Sequence, residues 1–219
     1  IVDLQDAMSI FNSSLLKDGS DVPEGHYEEE QMKSTVVPNR NAIFSSILYG
    51  YALSIAVKNN TNVKIALGVH SGDHAIYPDC RPQFYNALEH AFQIGNWDSE
   101  KVSFELPYIA GDKESILLDA LKSCDQLKID FDTIFSNTNT SYNPDADGRS
   151  SGKSGADIER ILAFKAIGRI DPVEYIDSWE VVLSNAVKVE MQHKEEYYRE
   201  KLTDLQYMVT RQGLSLIHI

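Results

Sequence analysis

Two short apolar runs, separated by one helix-length segment, constrain this chain more than any other feature. Val63 to Val69 reads VKIALGV between polar borders, and Val102 to Leu106 reads VSFEL before Pro107. Runs this short that do not alternate strictly with polar residues suit strands covered on both faces, as in a parallel sheet. Between them, Pro78 to Phe92 places Phe84, Leu88 and Phe92 on one side of a helix. From Asn41, the apolar residues Phe44, Ile47, Leu48, Tyr51 and Ile55 recur at steps of three and four, which marks another helix. After the second run, Asp112 can cap a helix containing Ile116, Leu117 and Leu121. Strands alternating with helices predict βαβ units, and so an α/β fold with a doubly wound parallel sheet.

Past Pro172 the pattern is helical towards Arg211. Val182, Ala186 and Val189, then Tyr198, Leu202, Leu205 and Val209, fall at steps of three and four. This predicts one long helix packed on its own domain or on a symmetry mate, in preference to a coiled coil. Residues 18–35 are acidic and punctuated by Gly and Pro, and read as a mobile surface loop. The chain opens on Ile1–Leu4, which resembles the end of a strand, and closes on an apolar stretch after Gly213. It is therefore read as a fragment: a main domain over 1–175, a helical extension over 176–213, and a non-native tail over 214–219.

Charge narrows the partners. With 33 acidic and 20 basic residues the net charge is −13, the wrong sign for a protein that grips phosphate backbones, so nucleic acid is excluded as a direct partner. No apolar run reaches the roughly 20 residues that span a bilayer. Two cysteines, Cys80 and Cys124, are too few for a disulfide scaffold and suit a reducing cytoplasm.

Three local patterns carry possible chemistry. Gly152-Lys153-Ser154 looks like the end of a phosphate-binding loop, but the glycine required five positions earlier is Asp147, so a Gly/Ser-rich lead into a helix from Ala156 is preferred. His70, Asp73 and His74 stand at the C-terminal end of the first run, where α/β sheets bind ligands. They could hold a metal, although a helix-capping turn is commoner. Tyr77-Pro78-Asp79-Cys80-Arg81 supplies an aromatic face, a carboxylate, a thiol and a guanidinium at a strand-to-helix junction. Its bland reading is a Pro-started helix with Asp79 in the first turn, complementing the dipole. No base neighbours Cys80 to make it a nucleophile.

Taken in order, Val37-Pro38-x-Arg40-Asn41, Gly68-Val69-x-x-x-Asp73, Tyr77-Pro78-Asp79-Cys80-Arg81, Glu105-Leu106-Pro107 and Asp112-Lys113-Glu114 resemble the 7-cyano-7-deazaguanine synthase family, from Ile1 to about Tyr175. The resemblance implies an ATP- and magnesium-dependent ligase of the adenine-nucleotide α-hydrolase (PP-loop) type, working in the cytoplasm as a homodimer. Its substrates would be 7-carboxy-7-deazaguanine and ammonia. The carboxylate is activated as an acyl-adenylate, ammonia gives the amide, and a second activation dehydrates this to the nitrile on the route to queuosine. Activation is needed because a carboxylate is a poor electrophile, and the rest is positioning and electrostatics. By the same resemblance Arg40 and Asn41 line the pocket beside the nucleotide. Asp73, Asp79 and Arg81 meet the deazaguanine with Tyr77 as a wall and Cys80 beside them, and Lys113 neutralises phosphate charge. Asp73 and Lys113 are the candidate catalytic pair.

Two departures stand out. The family's SGGxDS pyrophosphate loop is absent: none of the 12 glycines adjoins another. Loss of that loop and its strand predicts uncovered helix faces, poor folding and weak ATP binding. The family also holds zinc with four cysteines, in a Cys-Tyr pair and a CGxCxxCxxR cluster. Here Ser141, Ser151, Ser154 and Asp157 occupy those positions, with Gly152 and Arg160 kept. Neutral hydroxyls are weak zinc ligands, so no zinc is expected, with hydrogen bonds and packing in its place. The enzyme reading competes with a catalytically silent deazapurine or nucleotide binder, and with a variant that stops at the amide. Transfer-RNA thiolation on the same fold is disfavoured by the acidic surface and the lack of thiol pairs.

Overall fold

The computed structural model describes residues 2–16 and 19–212, and the 214–219 tail lies outside them. It is a mixed α/β structure in which helices outnumber strands. α1 (Gln5–Met8) is followed by α2 (Arg40–Asn59), β1 (Val63–Ala66), α3 (Pro82–Gly95), β2 (Val102–Glu105), α4 (Lys113–Leu127) and α5 (Phe131–Ser136). α6 (Gly155–Ala166), α7 (Trp179–Lys201) and α8 (Asp204–Arg211) complete it. β1 and β2 pair in parallel, Val63 opposite Val102 and Ala66 opposite Glu105, with α3 in the crossover. Val2–Leu4 carry no strand among the described residues, because no neighbouring strand offers them a ladder.

The small sheet is packed by α2. Tyr49, Ala52 and Ala56 bury against Ile65 and Val102, with Phe92 and Phe104 closing the cluster. Thus α2 buries a face made of Tyr49 and two alanines. The apolar row expected from the sequence turns outward instead: Phe44, Ile47 and Leu48 are 39–48% exposed and Tyr51 is 66% exposed. Alanines let the helix sit close to the sheet, and the bulkier row is left facing solvent.

A second body is all helix. Leu117 and Cys124 of α4, Phe131 of α5, and Ala163 and Phe164 of α6 share a core. Ile158 and Ile161 of α6 then pack on Val182 and Ala186 of α7, so the C-terminal helix rests on the chain's own core. The single long helix expected over this region is two. Leu202 is extended, and Thr203 starts α8 with a capping box in which its Oγ1 accepts from the N–H of Gln206. The acidic 18–35 stretch also departs from expectation. Residues 30–35 form a 3-10 turn whose Met32 and Thr35 are buried, because Tyr27 and Met32 are apolar anchors among the charges.

Candidate functional site

The site forms where the chain leaves β1. A 3-10 turn at Ser71–His74 and another at Pro78–Cys80 carry the sequence past the N-terminal end of α2 before α3 begins at Pro82. Arg40 and Asn41 open α2, and they face that crossing. The result is a cavity of about 210 Å³ lined by Arg40, Asn41, Gly68, Asp73, Cys80 and Tyr85. Four predicted site residues therefore meet in one place.

Hydrogen bonds fix the arrangement. Asn41 donates from its backbone N–H to Asp79 Oδ2 at 3.4 Å and from Nδ2 to the Asp79 carbonyl at 3.3 Å. The same Nδ2 lies 3.5 Å from Cys80 Sγ. Asp79 Oδ1 is buried and has no partner, so one strong acceptor is left for something else. Tyr77 is buried, shares a 2.5 Å hydrogen bond with Thr35 Oγ1, and stacks under the Arg40 guanidinium at 5.9 Å. Tyr77 therefore packs beneath Arg40 and is not among the residues that line the cavity. Cys80 is buried too, and burial first, then Asp73 and Asp79, push its thiol up to about 12. A thiol held protonated at neutral pH is no nucleophile.

Arg81 stands apart from the cavity. Its side chain is exposed and donates Nε to the His74 carbonyl at 2.7 Å, holding the turn. Lys113 opens α4 and faces a neighbouring cleft of about 700 Å³ lined by Tyr27, Gly72, Lys113 and Glu159. The ammonium of Lys113 pairs with Glu159 Oε2 and lies 5.7 Å from the Tyr27 ring centroid. The other Glu159 oxygen is 3.7 Å from His70 Nδ1, while His70 Nε2 is 3.5 Å from Asp73 Oδ2. Lys113, Glu159, His70 and Asp73 thus form one polar chain joining the cleft to the cavity. His70 and Asp73 were legible together. Glu159 was missed, since only the packing of α4 on α6 brings it to Lys113, 46 residues away in sequence. His74, grouped with them by spacing, takes no part in this chain.

Gly72 shows how tight this crossing is. A Cβ there would meet the Glu159 carboxylate and the His70 ring, so any larger residue would push Glu159 off the turn.

The Ser/Asp frame after β2 is closed by ordinary hydrogen bonds. Ser154 caps α6: its Oγ accepts from the Asp157 N–H at 3.3 Å, and Asp157 Oδ2 accepts from the Ser154 N–H at 3.4 Å. Ser151 Oγ accepts from the Lys153 N–H, and Ser141 Oγ from the Asn143 N–H. Lys153 is exposed and no strand leads into it, so the Gly-Lys-Ser run is a helix cap and not a phosphate loop. Beneath the frame, buried Arg160 donates to Asp171 at 2.5 and 2.8 Å, to Thr138 Oγ1 at 2.8 Å and to the Phe135 carbonyl at 3.3 Å. Tyr175 adds a bond to Asp171 at 2.8 Å. Gly152 bends over this frame at φ +72°, and a Cβ on it would lie 2.7 Å from Val182 of α7.

The chain is 42% identical to the 7-cyano-7-deazaguanine synthase of Pseudoalteromonas translucida over 175 residues, covering 80% of this chain and 72% of that protein. It is 41% identical over 175 residues to 7-cyano-7-deazaguanine synthase 1 of Colwellia psychrerythraea, covering 80% and 72%. The 7-cyano-7-deazaguanine synthase of Methanoregula boonei is 41% identical over the same length, covering 80% and 73%. No solved structure matches the chain. The family model described as "Queuosine biosynthesis protein QueC" matches residues 1–168, which takes in α2, both strands, the Arg40 cavity, Lys113 and Glu159, and the chain belongs to that family.

Proposed function

We propose that the protein uses ATP to convert 7-carboxy-7-deazaguanine and ammonia into 7-cyano-7-deazaguanine, through an acyl-adenylate and an amide, as its relatives' names and its cavity together support. The observation that carries this reading is the buried, unpartnered Oδ1 of Asp79, whose other carboxylate oxygen is held by Asn41 of the cavity that Arg40, Asp73 and Cys80 also line. A guanine-like edge offers adjacent N–H donors, and an orphaned carboxylate oxygen is the acceptor such an edge satisfies.

ATP, taken as its magnesium complex, supplies the activation that turns a carboxylate oxygen into a leaving group, once for the amide and once for the nitrile. The chain's own residues bind and orient. Asp73 and Asp79 receive the base, Tyr77 packs beneath Arg40, and Arg40 and Asn41 stand at the nucleotide side. Lys113, on loan to Glu159 in the free protein, neutralises phosphate charge. Arg81 takes a turn-holding role in this arrangement, so its part in substrate contact depends on releasing the His74 carbonyl. Ser141, Ser151, Ser154 and Asp157 bind no zinc in this reading, since their side chains are engaged with backbone N–H groups. β1 and β2 belong to a doubly wound parallel sheet, and the working form is a homodimer.

The test is to incubate the protein, carrying an SGGxDS-bearing segment supplied ahead of Ile1, with 7-carboxy-7-deazaguanine, ATP, magnesium and ammonium and follow products by mass spectrometry. Nitrile with AMP release is expected, and Asp79→Asn, which keeps the shape but offers an N–H in place of an acceptor, should lower kcat/KM about ten- to a hundredfold. Amide alone would assign the second dehydration elsewhere. Absence of turnover by folded protein that binds the deazaguanine would replace the enzyme with a silent binder.

A further inference from the structure

A second cluster lies outside the Arg40 cavity and partly beyond the matched residues 1–168. His26, just before the anchor Tyr27, stacks face to face on His193 of α7, with ring centroids 3.7 Å apart and planes 9° from parallel. Glu28 Oε2 lies 3.1 Å from His193 Nε2, and Glu190 Oε2 lies 2.9 Å from His26 Nε2. One ligand atom from each of His26, Glu28 and His193 falls within 4.8 Å of the others.

The hydrogen bonds settle the tautomer of His26. Its Nδ1 accepts from the backbone N–H of Glu28 at 3.2 Å, so Nδ1 carries a lone pair and Nε2 carries the proton given to Glu190. That is the proton placement of a metal-binding histidine: one nitrogen carries a lone pair, here occupied by the Glu28 N–H, and the other is tied to a carboxylate that orients the ring. Lys194 holds the second Glu190 oxygen at 2.8 Å and so fixes the orienting carboxylate in turn. With neutral imidazoles the group of Glu28, Glu190 and Lys194 keeps a net negative charge, which favours a cation.

We propose that His26, Glu28 and His193 form a binding site for a late first-row divalent metal such as zinc, with Glu190 as its orienting carboxylate. Two imidazoles and a carboxylate are a zinc donor set, and the fourth position is left to water. Zinc bonds of about 2.1 Å place tetrahedral ligand atoms about 3.4 Å apart. To reach one ion the two rings must turn out of their parallel stack, the Glu28 N–H contact must give way, and His193 must release the Nε2 proton it shares with Glu28. The ion would clamp the segment carrying Tyr27, a wall of the Lys113 cleft, onto α7. This site is separate from the Ser/Asp frame and does not depend on the reaction proposed above.

The experiment titrates the whole chain with zinc after chelator treatment, and repeats the titration with cobalt to record its visible d–d absorption. One ion per chain is expected, with a tetrahedral cobalt spectrum. His193→Gln should weaken binding at least tenfold, and so should Glu28→Gln, whose exposed position leaves folding intact. Glu190→Gln should weaken it about ten- to a hundredfold through the ring it orients. His70→Asn and Ser154→Ala should bind as the parent does. Absence of binding by the parent, or equal binding by the Glu28→Gln variant, would overturn the site. Loss of the metal in His70→Asn alone would overturn it in favour of the His70–Asp73–Glu159 group.

Discussion

Cys80 lies on the wall of the Arg40 cavity with 3% of its surface exposed, and burial, followed by repulsion from Asp73 and Asp79, raises its thiol to about 12. In an unfolded chain the same thiol ionises near 8.5. Its folded form therefore keeps the proton while the unfolded form loses it, so stability from this group is present below about pH 8.5 and declines as pH rises towards 12. Iodoacetamide at pH 8 should leave Cys80 unmodified in the folded protein and label it once urea is added, as read by peptide mass mapping. Fast labelling of the native protein would mean an accessible thiolate. At this scale much of the site was legible. Arg40, Asn41, Asp73 and Cys80 were named by their motif and do line one cavity. Arg81 was named by the same motif and is spent on a carbonyl seven residues away, because its reach is set by the turn that precedes it. Glu159 and the His26–His193 stack were invisible, since their partners are far apart in sequence and no local period connects them.

Among the elements, α4 begins as its sequence predicts. Asp112 Oδ1 accepts from the Ser115 N–H at 2.9 Å, and Ser115 Oγ accepts from the Asp112 N–H at 2.9 Å. That backbone bond holds the Asp112 carboxyl below its usual range. A depressed carboxylate stabilises above the unfolded value near 4 and loses its contribution as pH falls through the folded one. Asp112→Ala should cost about 1 kcal/mol in urea unfolding at pH 7, and the difference from the parent should shrink below pH 4. A constant difference at all pH values would show that the cap bond is not the source. The same logic explains a boundary that was misread. Thr203 and Gln206 make a capping box inside a stretch whose apolar spacing runs on undisturbed, and period alone cannot report a break that side-chain oxygens create. For α2 the period gave the helix, yet the helix buries alanines and shows its bulky row to solvent. Which stripe a helix buries depends on what it meets, and β1 meets Tyr49, Ala52 and Ala56.

Over the whole molecule, Arg160 and Asp171 tie three parts together: the turn after α5, helix α6, and the segment leading to α7. Both side chains are buried and satisfied, so removing one strands the other. Asp171→Asn should cost about 3–5 kcal/mol, lowering Tm by about 10 °C in a circular-dichroism melt. A change of a degree or less would show that the pair contributes little beyond what an amide supplies. This network fastens the segments that lie beneath the Ser/Asp frame. The frame has a second tie at Gly152, whose missing side chain is the space filled by Val182. One of these residues lies within the stretch that the family model matches and the other lies outside it. The two stretches are therefore coupled: a side chain at 152 needs room made at 182, and variation at the two positions should be inherited as a pair.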